Sequence, residues 1–230
     1  MPELQSLQIS RESITTMVYS AIRDAIVDKS LPPGAAVSEV ELARQLNVSK
    51  TPVREVILRL RELHLIEADA NRRLRVVRPS LEAITSAYET RAALESAAAG
   101  LAAIRSDATK HAEMKDAAVQ SVRFAEAREG LMFRQWDRKF HTAIADAAES
   151  RHLTQLIKDF LLLTEVMRTR DAPVTGDSID CSREHLAIAD AIVGGDEELA
   201  SKIAASHVRH VATNVLAAFS LNAELEARLV

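Results

Sequence analysis

With 230 residues and 47% apolar side chains, the chain can bury one large core or two modest ones, and two domains is the expectation. Aromatics at 3%, six Gly and six Pro argue against a many-turned β-fold and for a mainly α protein, while the single cysteine, Cys181, excludes an internal disulfide and a thiolate metal cluster. The net charge of −4 is unevenly spread: residues 1–78 hold 12 Lys+Arg against 10 Asp+Glu, and nine cations face four acids between Arg44 and Arg78, so only that stretch suits a polyanion.

The opening residues lack a charged-then-apolar leader, and no apolar run approaches the roughly 18 residues of a bilayer span, so the expectation is a cytoplasmic protein with no membrane partner. Ile14, Val18, Ala21, Ile22, Ala25 and Ile26 recur at helical spacing and predict a first helix between Ser13 and Lys29. Leu31-Pro32-Pro33-Gly34 breaks the chain. Ser38 followed by Glu41 has the form of a capping box and opens a second helix through Leu46, with Asn47 suited to its left-handed end. Lys50-Thr51-Pro52-Val53-Arg54 starts a third helix with Pro52 in the first turn, where its missing amide costs little. Val53, Val56, Ile57 and Leu60 form its buried face. Two short helices joined by a tight turn are helix-turn-helix geometry.

Lys50, Thr51 and Arg54 fall outside that apolar stripe, at the end of the helix that would meet DNA bases and phosphates. Arg54 is the first choice for a base edge, because its fork can donate two hydrogen bonds to guanine O6 and N7; Ser49 and Thr51 suit phosphate. The plainer reading, Arg54 and Glu55 as solvated helix surface, stays open on spacing alone. Ile66–Ala68 and Leu74–Val77 read as short strands around the basic tip Asp69–Arg73, a hairpin wing. Pro79-Ser80 ends the module, giving domains 1–79 and 80–230.

Helical patterns then run near 81–105, 109–129, 131–148, 152–170, 179–194 and 196–228, punctuated by Gly130, Pro173-Val174-Thr175-Gly176 and Gly194-Gly195. A bundle of six or seven antiparallel helices is expected. Asp137 and His141, spaced i, i+4, project from one helical face and could share an ion. His185, read as opening a later helix, and His207, in the last one, could join them in a bundle interior. Taken singly, each histidine reads more readily as hydrogen-bonded or surface, and His210 is a rival to His207. His64, His111 and His152 have no comparable context.

Residues 17–78, above all Leu42-Ala43-Arg44-Gln45-Leu46-Asn47-Val48-Ser49-Lys50-Thr51-Pro52-Val53-Arg54-Glu55 with Leu60 and Leu63, closely resemble the winged helix-turn-helix of the GntR family of bacterial regulators. The resemblance implies DNA contacts at Ser49, Lys50, Thr51 and Arg54, with Lys50 where Arg is common; Arg44, Arg72 and Arg73 complete the expected set. Asn71-Arg72-Arg73 departs from the family's Asn-Arg-Gly tip, and losing that Gly removes easy access to positive φ, so phosphate contact is expected in place of groove entry.

Residues 81–215 resemble the ligand-sensing FCD domain of the FadR-type branch, through Asp137-Arg138-Lys139-Phe140-His141, Glu184-His185 onward to Asp196, and Ala205-Ser206-His207-Val208. The resemblance implies metal ligation by Asp137, His141, His185 and His207, by a divalent ion with Zn²⁺ ahead of Ni²⁺. It also implies a small carboxylate-type effector beside the ion, with Arg91 helping to hold the acid unless it merely pairs with Glu95 on the helix surface. Asn214 is a second candidate for that cavity. The function implied is a homodimeric transcription regulator reading a roughly palindromic double-stranded operator; repressor is the expected sense, with activation left open. In an alternative the ion is itself the signal. A metal-dependent enzyme with a DNA-binding appendage is the remote reading; no His-Glu-x-x-His, nucleophile elbow or phosphate loop is present, and a non-enzyme is expected.

Overall fold

The computed structural model describes residues 11–168 and 175–228. The chain divides at Arg78/Pro79 into two compact units. In the first, α1 (Arg11–Val27), α2 (Glu39–Gln45) and α3 (Lys50–Glu62) precede β1 (Ile66–Ala68) and β2 (Leu74–Val76). The stripes read from the sequence close on one another: Val18, Ile22 and Ile26 of α1 are buried with Val53, Val56, Ile57 and Leu60 of α3 and with Leu65, Ile66 and Val76. Each such side chain contributes about 1.5–3 kcal/mol of burial, which fixes which face of α3 is left for solvent.

Three local expectations change. Ser38 does cap α2, accepting from the Glu41 amide at 3.4 Å, but Glu41 does not reach back; its carboxylate takes Arg44 and Gln45 instead, so half of the capping box forms. β1 and β2 pair antiparallel with Ile66 opposite Val76, yet the wing also has a third edge, because Ala36 bridges Arg75 and the Val37 amide donates to the Leu74 carbonyl at 2.8 Å. At the tip the positive φ falls on Arg72, at 61°, not on Arg73. Asp69 explains the shape: its Oδ1 accepts from the amides of Asn71 and Arg73, each at 2.9 Å, and its Oδ2 from Arg75 Nε at 2.8 Å. The absent glycine therefore does not stop the turn from closing.

The second unit is all helical among the described residues: α4 (Leu81–Arg105), α5 (Ala108–Glu126), α6 (Gly130–Ala147), α7 (Arg151–Met167), α8 (Gly176–Val193) and α9 (Glu197–Arg228). Six helices are described, and no seventh. Side-chain caps set several starts: Ser80 accepts from the Ala83 amide, Asp107 from that of Lys110, and Thr175 forms a capping box with Ser178. Gly130 is the first residue of α6, and Arg128 makes the left-handed turn before it, with φ 57°. Pro173 and Val174 lie outside the described residues.

Phe140, Ile144, Met114, Ile157, Ile188 and Ile192 sit in a core otherwise rich in buried alanine, which lets the helices approach closely. The α4–α9 seam is tightest at Gly100, where an added Cβ would overlap Ser201 Oγ; Ser96 Oγ donates to the Ser201 carbonyl one turn away. No helix of the described residues is long and apolar enough to cross a membrane.

Candidate functional site

On the N-terminal unit, Ser49, Lys50, Thr51 and Arg54 are exposed at the start of α3, as its buried stripe requires. Ser49 stands at the N-cap position without a side-chain cap bond, which leaves its hydroxyl for another acceptor. Arg54 is exposed, and its Nε lies 3.1 Å from Glu39 Oε2, across the turn from α2. Arg44 is exposed and forked onto Glu41, whose carboxyl is lowered to about 2 by hydrogen bonds from Arg44 and Gln45. Arg72 and Arg73 are exposed at the wing tip.

In the C-terminal unit the four predicted ligands converge. Asp137 and His141 lie on α6, His185 in the middle of α8 and not at its start, and His207 on α9. His141, His185 and His207 are buried, and their ligand nitrogens lie within 4.8 Å of one another. Asp137 Oδ1 is 3.7 Å from His141 Nε2 and 3.6 Å from His185 Nε2, and His185 Nε2 is 3.2 Å from His207 Nε2.

The outer nitrogens fix the tautomers. His141 Nδ1 sits 2.5 Å from Glu95 Oε2 and His207 Nδ1 2.8 Å from Glu184 Oε2, and a carboxylate only accepts. His185 Nδ1 is 2.8 Å from Ser121 Oγ, whose own hydrogen goes to the Ala118 carbonyl, so this nitrogen also donates. In the neutral rings the Nε2 atoms of His185 and His207 are therefore lone pairs turned toward each other. Neither ring nitrogen of His141 makes a well-formed hydrogen bond although both are buried, its Nδ1 meeting Glu95 only as a close ionic contact. This is the outer-partner arrangement that orients metal-binding histidines.

The electrostatics agree. Burial, with His207 and His141 nearby, holds His185 well below the usual imidazole range, and burial also lowers His207 despite its Glu184 partner. For His141 burial opposes charge, but Glu95 and Asp137 outweigh it and raise the group. Burial likewise works against ionised Asp137, yet His141 and Arg168 keep its carboxyl well below the carboxylate range.

Glu95, Ser121 and Glu184 were not read from the sequence, since no local pattern ties them to a histidine on another helix. The pairing of Arg91 with Glu95 does form, but it is buried, not superficial: Arg91 Nε ion-pairs with Glu95 Oε1 and its Nη1 reaches Thr164 Oγ1 at 3.5 Å. Arg168, also missed, donates from Nε to Tyr88 Oη at 2.6 Å, and its Nη1 stands 3.9 Å from Asp137 Oδ2. Asn214 is half-buried beside Cys181, its Nδ2 3.5 Å from Sγ. His210 bonds Glu184 Oε1 at 2.8 Å and does not join the three-histidine group.

A winged helix-turn-helix followed by a helical bundle with a buried histidine cluster is the architecture of a DNA-binding transcription regulator with an appended helical domain. Residues 14–76 match the family model "Bacterial regulatory proteins, gntR family", and residues 86–210 match "FCD domain". The chain belongs to the GntR family of transcription regulators, in the group that carries an FCD domain. It is 32% identical over 207 residues to the "Probable D-xylose utilization operon transcriptional repressor" of Paenarthrobacter nicotinovorans, covering 86% of this chain and 89% of that one. Among solved structures it shares the fold of McbR/YncC of E. coli, with a TM-score of 0.74, 20% identity and coverage of 90% and 99% of the two chains. A GntR regulator from Rhodococcus sp. RHA1 superposes with a TM-score of 0.67 at 26% identity, over 90% of this chain and 99% of that one.

Proposed function

We propose that Asp137, His141, His185 and His207 hold one divalent ion, with Zn²⁺ ahead of Ni²⁺, and that a small organic acid bound beside it controls how tightly the protein, as a homodimeric repressor, holds a palindromic operator. The observation that carries this reading is the 3.2 Å separation of His185 Nε2 and His207 Nε2, two nitrogens whose protons are committed outward. Two bare lone pairs that close repel unless a cation lies between them, and tetrahedral ligation with Zn–N near 2.0–2.1 Å sets such nitrogens about 3.3 Å apart. Asp137 supplies the fourth donor. When bound, the ion offers an open coordination position to a carboxylate.

The chain's own residues then give the acid its handle. Arg91 and Asn214 are the proposed effector contacts, and Arg91 is held by the same Glu95 that orients His141. An acid that draws Arg91 away from Glu95 loosens the brace on His141, which links the effector to the cage. On DNA, Arg54 reads a base edge, Ser49, Lys50, Thr51 and Arg44 hold backbone, and Arg72 and Arg73 bring the wing onto phosphate.

Metal analysis of protein purified without chelator tests the first step. The expected result is about one Zn²⁺ or Ni²⁺ per chain, lost in Asp137→Asn/His207→Ala; a folded chain that takes up neither ion overturns the reading. Removing and restoring the ion during an operator titration, with and without candidate acids, then separates an ion that anchors the effector from one that is itself the signal. A merely structural ion changes thermal stability whether or not DNA is present.

A further inference from the structure

One turn outside the cage lies a second group of donors with no part in the proposed effector response. Cys181 and Glu184 stand on α8 and His210 on α9, with the thiol buried and the other two side chains each 39% exposed. Cys181 Sγ is 3.6 Å from His210 Nδ1, and that nitrogen is 2.8 Å from Glu184 Oε1. The three donor atoms all lie within 4.8 Å of one another. Metal bonds of about 2.3 Å to sulfur and 2.0–2.1 Å to nitrogen place S and N about 3.5 Å apart around a tetrahedral ion, which is the spacing found between Cys181 and His210.

We infer that Cys181, Glu184 and His210 form a second cation site, one that takes a borderline-soft divalent ion such as Zn²⁺ through a thiolate, a carboxylate and an imidazole. On ligation the Cys181 S–H bond breaks, its proton leaves to solvent, and a sulfur–metal bond replaces it; no electron is transferred. On binding, His210 Nδ1 gives up to solvent the hydrogen it donates to Glu184 Oε1, Nε2 takes one up from solvent, and the ion bonds to the freed Nδ1. Water completes the coordination. The half-exposed Glu184 and His210 form the entry path that a fillable site needs.

A redox role for the cysteine fits less well. Burial and the charge of Glu184 push its thiol up to about 12, so almost no thiolate is present to be oxidised, whereas a cation displaces the thiol proton outright. The sharing of Glu184 couples the sites: Oε2 orients His207 while Oε1 faces the second ion. Only this coupling rests on the proposed three-histidine cage; the existence of the second site does not.

Cobalt titration of the reduced, metal-stripped full chain tests the inference, because the cage contains no sulfur. Two Co²⁺ per chain are expected, the tighter giving visible tetrahedral bands alone and the weaker adding a thiolate-to-metal charge-transfer band in the near ultraviolet. Cys181→Ser and, as a second variant, His210→Ala should each bind one Co²⁺ without that band and keep the bands of the first; their folding is checked by circular dichroism. One Co²⁺ and no thiolate band in the unaltered chain overturns the second site and leaves the cage standing. No uptake at all overturns both.

Discussion

Arg54 Nε pairs with Glu39 Oε2, and in the proposed reading that contact orients the fork that α3 presents to DNA. Held at Nε by a carboxylate on α2, the guanidinium has its two Nη groups left to donate together, the geometry that guanine O6 and N7 require. Arg54→Ala is expected to cost about 1–3 kcal/mol of operator affinity and to flatten the preference at one base pair. Glu39→Gln keeps the arginine but frees it, so operator affinity should fall several-fold while binding to unrelated duplex holds or rises with one acid gone. Fluorescence anisotropy on operator and scrambled DNA checks both, and an unchanged preference in Arg54→Ala refutes its assigned role. At this scale the sequence was informative where partners share a helix, as Asp137 and His141 do at i, i+4. It was silent on the braces. Glu184 adjoins His185 in sequence yet orients His207, because neighbouring residues on a helix point about 100° apart.

The bundle's helices were legible through apolar spacing and glycine and proline breaks, and they lie within a few residues of the bounds those signals set. Among left-handed turns at non-glycine residues, Asn47 was legible, with φ 53°, but others were not. Arg128 and Glu149 reverse the chain between helices and His64 turns it from α3 into β1, and nothing local announces it. Gly100 had no visible role either, since its meaning comes from Ser201 on a helix far along the chain. Gly100→Val should destabilise the bundle by about 1–3 kcal/mol through overpacking of the α4–α9 seam, measured by denaturant unfolding of the full chain.

The meeting of α6, α8 and α9 also fixes a pH response. In metal-stripped protein, the lowered His185 and His207 stay neutral in the fold, whereas the unfolded chain takes up their protons as pH drops through about 6.5. The unfolded state then binds more protons, so stability falls with falling pH; His141, raised in the fold, resists only in part. Thermal melts from about pH 7.5 to 5 should show this decline, and saturating Zn²⁺ should raise the melting temperature most at the upper end.

Over the whole molecule, charge is segregated, with residues 1–78 carrying a net of +2 inside a chain of −4. Operator binding should therefore weaken steeply with salt, through the cations of α2, α3 and the wing, and Lys50→Gln should make the slope of log K against log salt shallower by about one, for the single phosphate that its ammonium neutralises. A slope indifferent to that change would remove Lys50 from the backbone-holding set. The break expected at Pro79-Ser80 falls at the end of the basic region, and the two compact units divide at Arg78/Pro79. The last helix has a mechanical meaning as well. From His207 the rod of α9 continues for some twenty residues, about 30 Å. In the proposed reading, taking the ion away leaves two opposed nitrogens that must recruit a proton or part company. If they part, a tilt of a few degrees at the imidazole arrives at the rod's end as a sweep of about 2 Å, so that the loss of one atom is felt as a movement.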